Sequence, residues 1–402
     1  MERKKSYVYD PPFPKSYSRE LLIFDRGEGV YLVDEEGNRY LDFGAGIAVN
    51  ALGYGREDLA ETAAAQMRKL IHTSNLFTSE PTIKLAERLV ALGGFAAAHF
   101  GNSGTEANEA ALKYARLYAF RTRGAGHSKF LSFDSAFHGR TMGALSVTPN
   151  PTYQEPFEPL VPGVEVLPYN DPDKLAAALD SSYAGVIVEV IQGEGGLRTM
   201  SRAFAEALNE TCRRHDVMLI ADEVQTGLGR VGYPLASELF GLEPDIVTLA
   251  KPLGGGLPLS ATLLPPKVND LVQVGDHGST FGGGPVTAAV SNRVLDTVLD
   301  AGFLMEVRKK AVLLEEGLQK ILSSSGIVSE LRGSGLLRGL VLSDRANLQV
   351  SDVVSAARAK GLVTLRSGKN VLRIAPPLVI SHEQIAEGLS ILTQVLSELE
   401  GK

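Results

Sequence analysis

Apolar and polar positions divide the chain into two textures. Between about residues 85 and 265, short apolar β-rich runs at 129–133, 185–190, 217–221 and 246–250 alternate with longer stretches of helical periodicity. Near-continuous apolar strands separated by helices predict a mostly parallel sheet covered on both faces, because such strands keep no polar face for water. After about residue 290, amphipathic helices at 307–322 and 353–360 alternate with short strands at 336–342 and 371–375, which predicts a smaller α+β domain. The hairpin-like stretch 29–42 belongs to a segment too short to fold alone. The expected organisation is an N-terminal segment, 1–48, joining the small domain or a dimer interface; a large α/β domain, 49–290; and a small C-terminal domain, 291–402. A chain of 402 residues is too long for one simple core, which agrees with that division.

Composition narrows the function classes. A net charge of −7 argues against a nucleic-acid or anionic-membrane surface. No stretch approaches the ~20 apolar residues of a membrane helix, and the start leads into Pro11 and Pro12, so no signal peptide is expected. The single cysteine, Cys212, cannot form an internal disulfide and reads as a buried structural thiol. A cytoplasmic location is the expectation.

Ligands of open α/β sheets lie beyond the carboxyl ends of the strands. The polar residues expected there are Asp222 and Glu223, Lys251, the loop Gln192-Gly193-Glu194-Gly195-Gly196, and Phe137-His138-Gly139-Arg140. Lys251 ends an apolar run, where dehydration lowers an amine's pKa and frees it for Schiff-base chemistry. A lysine whose stem lies on apolar surface while its ammonium reaches water would look the same. Asp222 also ends a strand, and a carboxylate there suits the pyridine nitrogen of pyridoxal 5′-phosphate (PLP); an ordinary turn-capping aspartate is the alternative. Ser103-Gly104-Thr105 opens a helical pattern, offering amides and a helix dipole to a phosphate, or else a plain N-cap.

Two other patterns fail. Gly227-Leu228-Gly229-Arg230-Val231-Gly232 fits a dinucleotide fingerprint, but Tyr233 and Pro234 stand where a helix must open, and Asp245 precedes a strand rather than ending one. The histidines are scattered without metal-ligand spacing, so no metal is expected.

The segments Asn102-Ser103-Gly104-Thr105-Glu106-Ala107-Asn108, Phe137-His138-Gly139-Arg140-Thr141, Gln192-Gly193-Glu194-Gly195-Gly196, Asp222-Glu223-Val224-Gln225-Thr226-Gly227, Ala250-Lys251, His277-Gly278-Ser279-Thr280-Phe281 and Leu372-Arg373-Ile374-Ala375-Pro376 occur in a characteristic order over nearly the whole chain. Together they resemble the class III (subgroup II) aminotransferases, particularly those acting on acetylornithine and succinylornithine. The resemblance implies the PLP-dependent transferase fold type I, a homodimer with shared active sites, and a PLP cofactor. It implies that Lys251 forms the Schiff base and moves the substrate proton, that Asp222 pairs with the pyridine nitrogen, and that Gln225 meets the ring hydroxyl. It places Phe137 and Val224 on the two ring faces, Ser103, Gly104 and Thr105 around the phosphate, and Thr280 on the phosphate of the neighbouring subunit. Arg140 is implied for the α-carboxylate of an acylated ornithine, and Arg373 for that of glutamate or 2-oxoglutarate, with Glu194 as its removable partner.

Pro252, Gly284, Val190 and Gly101 depart from the family's usual glycine, asparagine, proline and cysteine; Pro252 and Gly284 are expected beside the cofactor and bear on substrate preference. The expected reaction moves the δ-amine of N-acetylornithine to 2-oxoglutarate by a ping-pong route, with ornithine, 4-aminobutyrate, succinylornithine or a lysine-pathway substrate as alternatives within the family. Ornithine aminotransferases carry a tyrosine near Gly46, and its absence favours an acylated donor. A nicotinamide-dependent dehydrogenase would rest only on the defective glycine pattern, and a binding protein without catalysis would need Lys251 or Asp222 lost.

Overall fold

The computed structural model describes residues 13–17, 22–344 and 348–401; the proline-containing start at 1–12 lies outside them. Its centre is a seven-stranded sheet in the spatial order Ala97–Gly101, Ser260–Leu264, Ile246–Leu249, Met218–Asp222, Tyr183–Val188, Lys129–Phe133 and Val164–Leu167. The last five run parallel. Ser260–Leu264 is antiparallel to both its neighbours. It follows Ile246–Leu249 with only the short 3-10 turn Lys251–Gly254 between them, and without a crossover helix the chain reverses direction.

Four of these strands occupy the apolar runs, with ends displaced by no more than two residues. Three others were not marked by the pattern. Val164–Leu167 is an edge strand whose residues are partly exposed, so it lacks the apolar density of its neighbours. Ala97–Gly101 is likewise only half-buried until its last residue.

Successive side chains point to opposite faces of a strand, and both faces here are covered. Phe130, Ile187, Met218, Ile220 and Ile246 pack against the long helix Gly104–Arg123 through its Ala110, Ala111, Ala115 and Ala119. Their neighbours Leu131, Val186, Leu219 and Val247 pack with Phe204 and Leu208 of the helix Arg202–His215. Cys212 is buried on that helix, and burial pushes its thiol up.

A second body contains the sheet Val328–Ser334, Leu337–Leu342, Val371–Ile374 and Leu365–Ser367, in that order, with the helices Ala301–Ser324 and His382–Glu400. The strands Phe24–Glu28, Tyr31–Asp34 and Arg39–Asp42 form a meander. Leu362–Val363 adds to its edge in parallel, with Leu362 opposite Leu41. Val30, Leu41 and Phe43 share a buried cluster with Leu340, Leu372 and Leu392, so the early strands and the C-terminal elements enclose one core.

Gly388, on the helix His382–Glu400, permits that closure. A β-carbon there would lie 2.1 Å from Phe43 Cζ, and Phe43 is fully buried. Alanine improves helix propensity by about 1 kcal/mol, but overpacking a closed core costs about 1–3 kcal/mol. Gly388→Ala is therefore expected to lower the midpoint of urea unfolding; a raised midpoint would show that Phe43 yields.

Candidate active site

The carboxyl ends of the parallel strands, with the first turn of Gly104–Arg123, surround a cavity of about 590 Å³. Ser103, Gly104, Thr105, Phe137, Arg140, Glu194, Asp222, Val224, Gln225 and Lys251 all line it. Two predicted residues do not. Arg373 lies behind the lining, with its Nη1 2.6 Å from Glu194 Oε1. Thr280 is exposed and lines a separate small cavity with His99, Glu106 and His277; Asn102 belongs to both.

Asp222 closes the strand Met218–Asp222 and is 6% exposed. Its Oδ2 accepts from Asn108 Nδ2 at 2.7 Å and from His138 Nδ1 at 2.8 Å, and its Oδ1 accepts from the Val224 amide at 3.1 Å. A buried carboxylate stays charged when donors meet it in this way. Asn108 also donates to the His138 carbonyl at 2.7 Å and accepts from Thr248 at 2.8 Å, which ties the helix to the next strand.

Lys251 begins the 3-10 turn directly after Ala250. Dehydration lowers its ammonium to about 8; nearby Arg373 acts in the same direction, and Glu194, Asp222 and Glu189 oppose it.

The Ser103 hydroxyl caps the helix by accepting from the Glu106 amide at 3.4 Å, and Glu106 folds back to accept from the Asn102 amide at 2.6 Å. The N-cap reading is thus correct for the Ser103 side chain. The Gly104 and Thr105 amides, in the first turn, have no acceptor within the helix and remain for an anion. Gly104 has to be glycine, because a β-carbon would meet Val224 Cγ1 at 2.6 Å. The first turn of the helix and the valine are therefore in contact.

The residues present fit PLP. Gln225 lines the cavity, and its Oε1 is buried without a hydrogen-bond partner. Phe137 and Val224 supply apolar surfaces, and the anionic Asp222 and cationic Lys251 line the same space.

Glu189 and Asn108 escaped sequence reasoning. Glu189, buried just beyond Tyr183–Val188, accepts from the amides of Phe137 and Gly193, each at 2.9 Å. Burial pushes its carboxyl up to about 7, with His138 and the two amides opposing. Glu223 is also buried and raised to about 7, but it faces away from the cavity and accepts from Ala236 and Ser237. Arg140 is exposed, with its guanidinium 3.4 Å from the centre of the Tyr153 ring, and no carboxylate pairs with it among the described residues.

The rejected glycine pattern is a run of turns, and Arg230 within it is buried, donating to the carbonyls of Leu336 and Pro376. It is a structural seam. Pro252 and Gly284 are not among the residues lining the cavity: Pro252 is buried in the 3-10 turn directly after Lys251, and Gly284 caps the helix Pro285–Val298. No cluster of metal-ligating side chains occurs among the described residues.

The chain belongs to the aminotransferase class-III family, whose pattern matches residues 13–396. It is a PLP-dependent transaminase of fold type I, with a large, mostly parallel sheet and a smaller α+β body. Among characterised relatives, it is 43% identical over 390 residues to the mitochondrial acetylornithine aminotransferase of Alnus glutinosa, covering 96% of this chain and 86% of that one. The crystal structure of N-acetylornithine aminotransferase from Stenotrophomonas maltophilia K279a matches with a TM-score of 0.83 at 35% identity, covering 95% and 97% of the two chains. The ornithine aminotransferase of Toxoplasma gondii ME49 matches with a TM-score of 0.92 at 30% identity, covering 98% and 93%.

The lowered Lys251 gives a direct expectation. An amine near 8 is about one-tenth unprotonated at pH 7, against well under ~0.1% for an ordinary lysine. Capture of free PLP by the apoprotein, followed by absorbance, should accelerate with pH, reach half its maximum near 8 and level off by about 9. A rate still climbing steeply past pH 9.5 would mean the amine is not perturbed.

Proposed function

We propose that this transaminase moves the δ-amino group of N-acetylornithine, or a similar N-acyl ω-amino acid, to 2-oxoglutarate by a ping-pong route. PLP bound here supplies an electron sink for the carbanion formed when the substrate loses its proton. Lys251 captures the cofactor and carries that proton. Asp222 holds the pyridine nitrogen protonated, and Gln225 meets the ring hydroxyl. Phe137 and Val224 confine the two ring faces, while Ser103, Gly104 and Thr105 hold the phosphate.

The observation that carries the substrate reading is the Arg373–Glu194 pair. Arg373 is 3% exposed, its Nη1 lies 2.6 Å from Glu194 Oε1, and Glu194 lines the cavity. Glutamate places a carboxylate beside its reacting amine, whereas the δ-carbon of acetylornithine bears only hydrogens there. An unpaired buried arginine costs about 3–5 kcal/mol. Glu194 pairs with Arg373 while an ω-amine reacts and gives way when glutamate arrives. Arg140, which also lines the cavity and has no acidic partner among the described residues, takes the distant α-carboxylate; an arginine fork suits both positions.

The absence of a tyrosine near Gly46 supports an acylated donor. The proposed assembly is a homodimer, in which the exposed Thr280 reaches the partner's phosphate site. Leu76, Phe77 and Phe281 are 88%, 71% and 67% exposed, the kind of apolar surface that another protein covers. A cytoplasmic setting completes the proposal; among the described residues no helix is long and apolar enough to cross a membrane.

Single-turnover conversion of the cofactor tests the reading. Glu194→Ala should slow the acetylornithine half-reaction more than the glutamate one, and Arg373→Ala should do the reverse. One hydrogen-bonded charge is worth at least about tenfold in each case. Equal losses in both half-reactions for both variants would overturn the switch.

A further inference from the structure

The Glu194 switch needs a side chain that moves on a backbone that does not. Gly193, which precedes it, is held from two directions. Its amide donates to Glu189 Oε2 at 2.9 Å, and its carbonyl accepts from Ser367 Oγ at 2.7 Å and from Arg373 Nη1 at 3.2 Å. The same Ser367 hydroxyl accepts from the Gly196 amide at 3.0 Å, and the Gly368 amide donates to the Glu194 carbonyl at 2.9 Å. The loop also lies so close to Gln225 that a β-carbon on Gly193 would meet Gln225 Oε1 at 2.2 Å.

Glu189 does not stop at Gly193. Its other oxygen accepts from the Phe137 amide at 2.9 Å. One buried carboxylate therefore ties the turn bearing the ring-facing phenylalanine to the loop bearing the switch. Neither amide has another protein acceptor among the described residues. A buried N–H left without an acceptor is costly, so a carboxylate with two oxygens suits this place.

We infer that Glu189 and Ser367 are positioning residues: Glu189 clasps the Phe137 turn to the Gly193 loop, Ser367 holds the loop's other side, and together they fix the backbone on which Glu194 discriminates between donors. Glu189 also lines the cavity and Ser367 does not; neither is assigned a contact with the reacting atoms. The donor-selection part rests on the Glu194–Arg373 reading above; the Phe137 part does not.

Two variants test this in the PLP-loaded enzyme, with glutamate and N-acetylornithine as separate donors. Glutamine at 189 keeps the shape but turns an NH₂ toward one of the two amides. Glu189→Gln should change the visible circular dichroism of the bound cofactor, or alter the ratio of the two half-reaction rates by about fivefold or more, the least expected of a lost hydrogen bond to a buried amide. Ser367→Ala should change the donor ratio and leave the dichroism as in the wild type. A merely structural role would lower thermal stability while leaving ratio and dichroism intact, and that result in Glu189→Gln overturns the proposal. Should Glu189→Gln fail to fold, an unchanged donor ratio in Ser367→Ala overturns it. Glu194→Ala separates the two readings: if it leaves the ratio unchanged, the switch has failed, and the dichroism of Glu189→Gln still decides the clasp.

Discussion

A carboxylate taken out of water must be met by donors or lose its charge, and the active site is arranged around one such group. Asp222 lies at the end of a central strand, with Asn108 and His138 on one oxygen and the Val224 amide on the other. These bonds set distances elsewhere. Asn108 spans Asp222, the His138 carbonyl and Thr248, which fixes the register of the helix Gly104–Arg123 against two strands. The first turn of that helix is the proposed phosphate cradle, so the spacing between this turn and the carboxylate follows from the anion's own hydrogen bonds. Val224 leads on from Asp222 and packs against Gly104, closing the circuit.

Charge balance extends outward from there. Lys251, Arg373, Glu194, Glu189 and Asp222 act on one another at short range in surroundings with little water. Arg373 assists dehydration in lowering Lys251, while the three acids hold it up. A lysine lowered only to about 8 can serve as a nucleophile and still regain a proton near neutral pH. The Glu194–Arg373 pair, proposed to set donor choice, is thus also linked to the reactivity of Lys251, because moving Glu194 changes the field at the amine.

Much of this was legible in the sequence. Lys251 and Asp222 could be placed because strand–helix alternation marks strand ends, and strand ends are where such sheets bind ligands. The phosphate turn was legible as a helix start, although its serine turned out to be engaged as a cap. Glu189 and Asn108 were hidden for a different reason. Glu189 follows an apolar strand and Asn108 interrupts an alanine-rich helix, and neither spacing reveals partners 52 or 114 residues away. The edge strand Val164–Leu167 lacked apolar density because one side has no neighbour. Arg230 was masked by the glycines around it, which read as a loop without indicating the carbonyls of Leu336 and Pro376 that its guanidinium reaches.

Lys251, at the strand ends with Asp222, is the residue proposed to hold the cofactor. Borohydride reduction of the PLP-loaded protein, followed by peptide mapping in a mass spectrometer, tests that role without reference to turnover or substrate. One phosphopyridoxyl group per chain, on Lys251, is expected. A modification confined to another lysine, or none on a yellow, PLP-bearing protein, would contradict it.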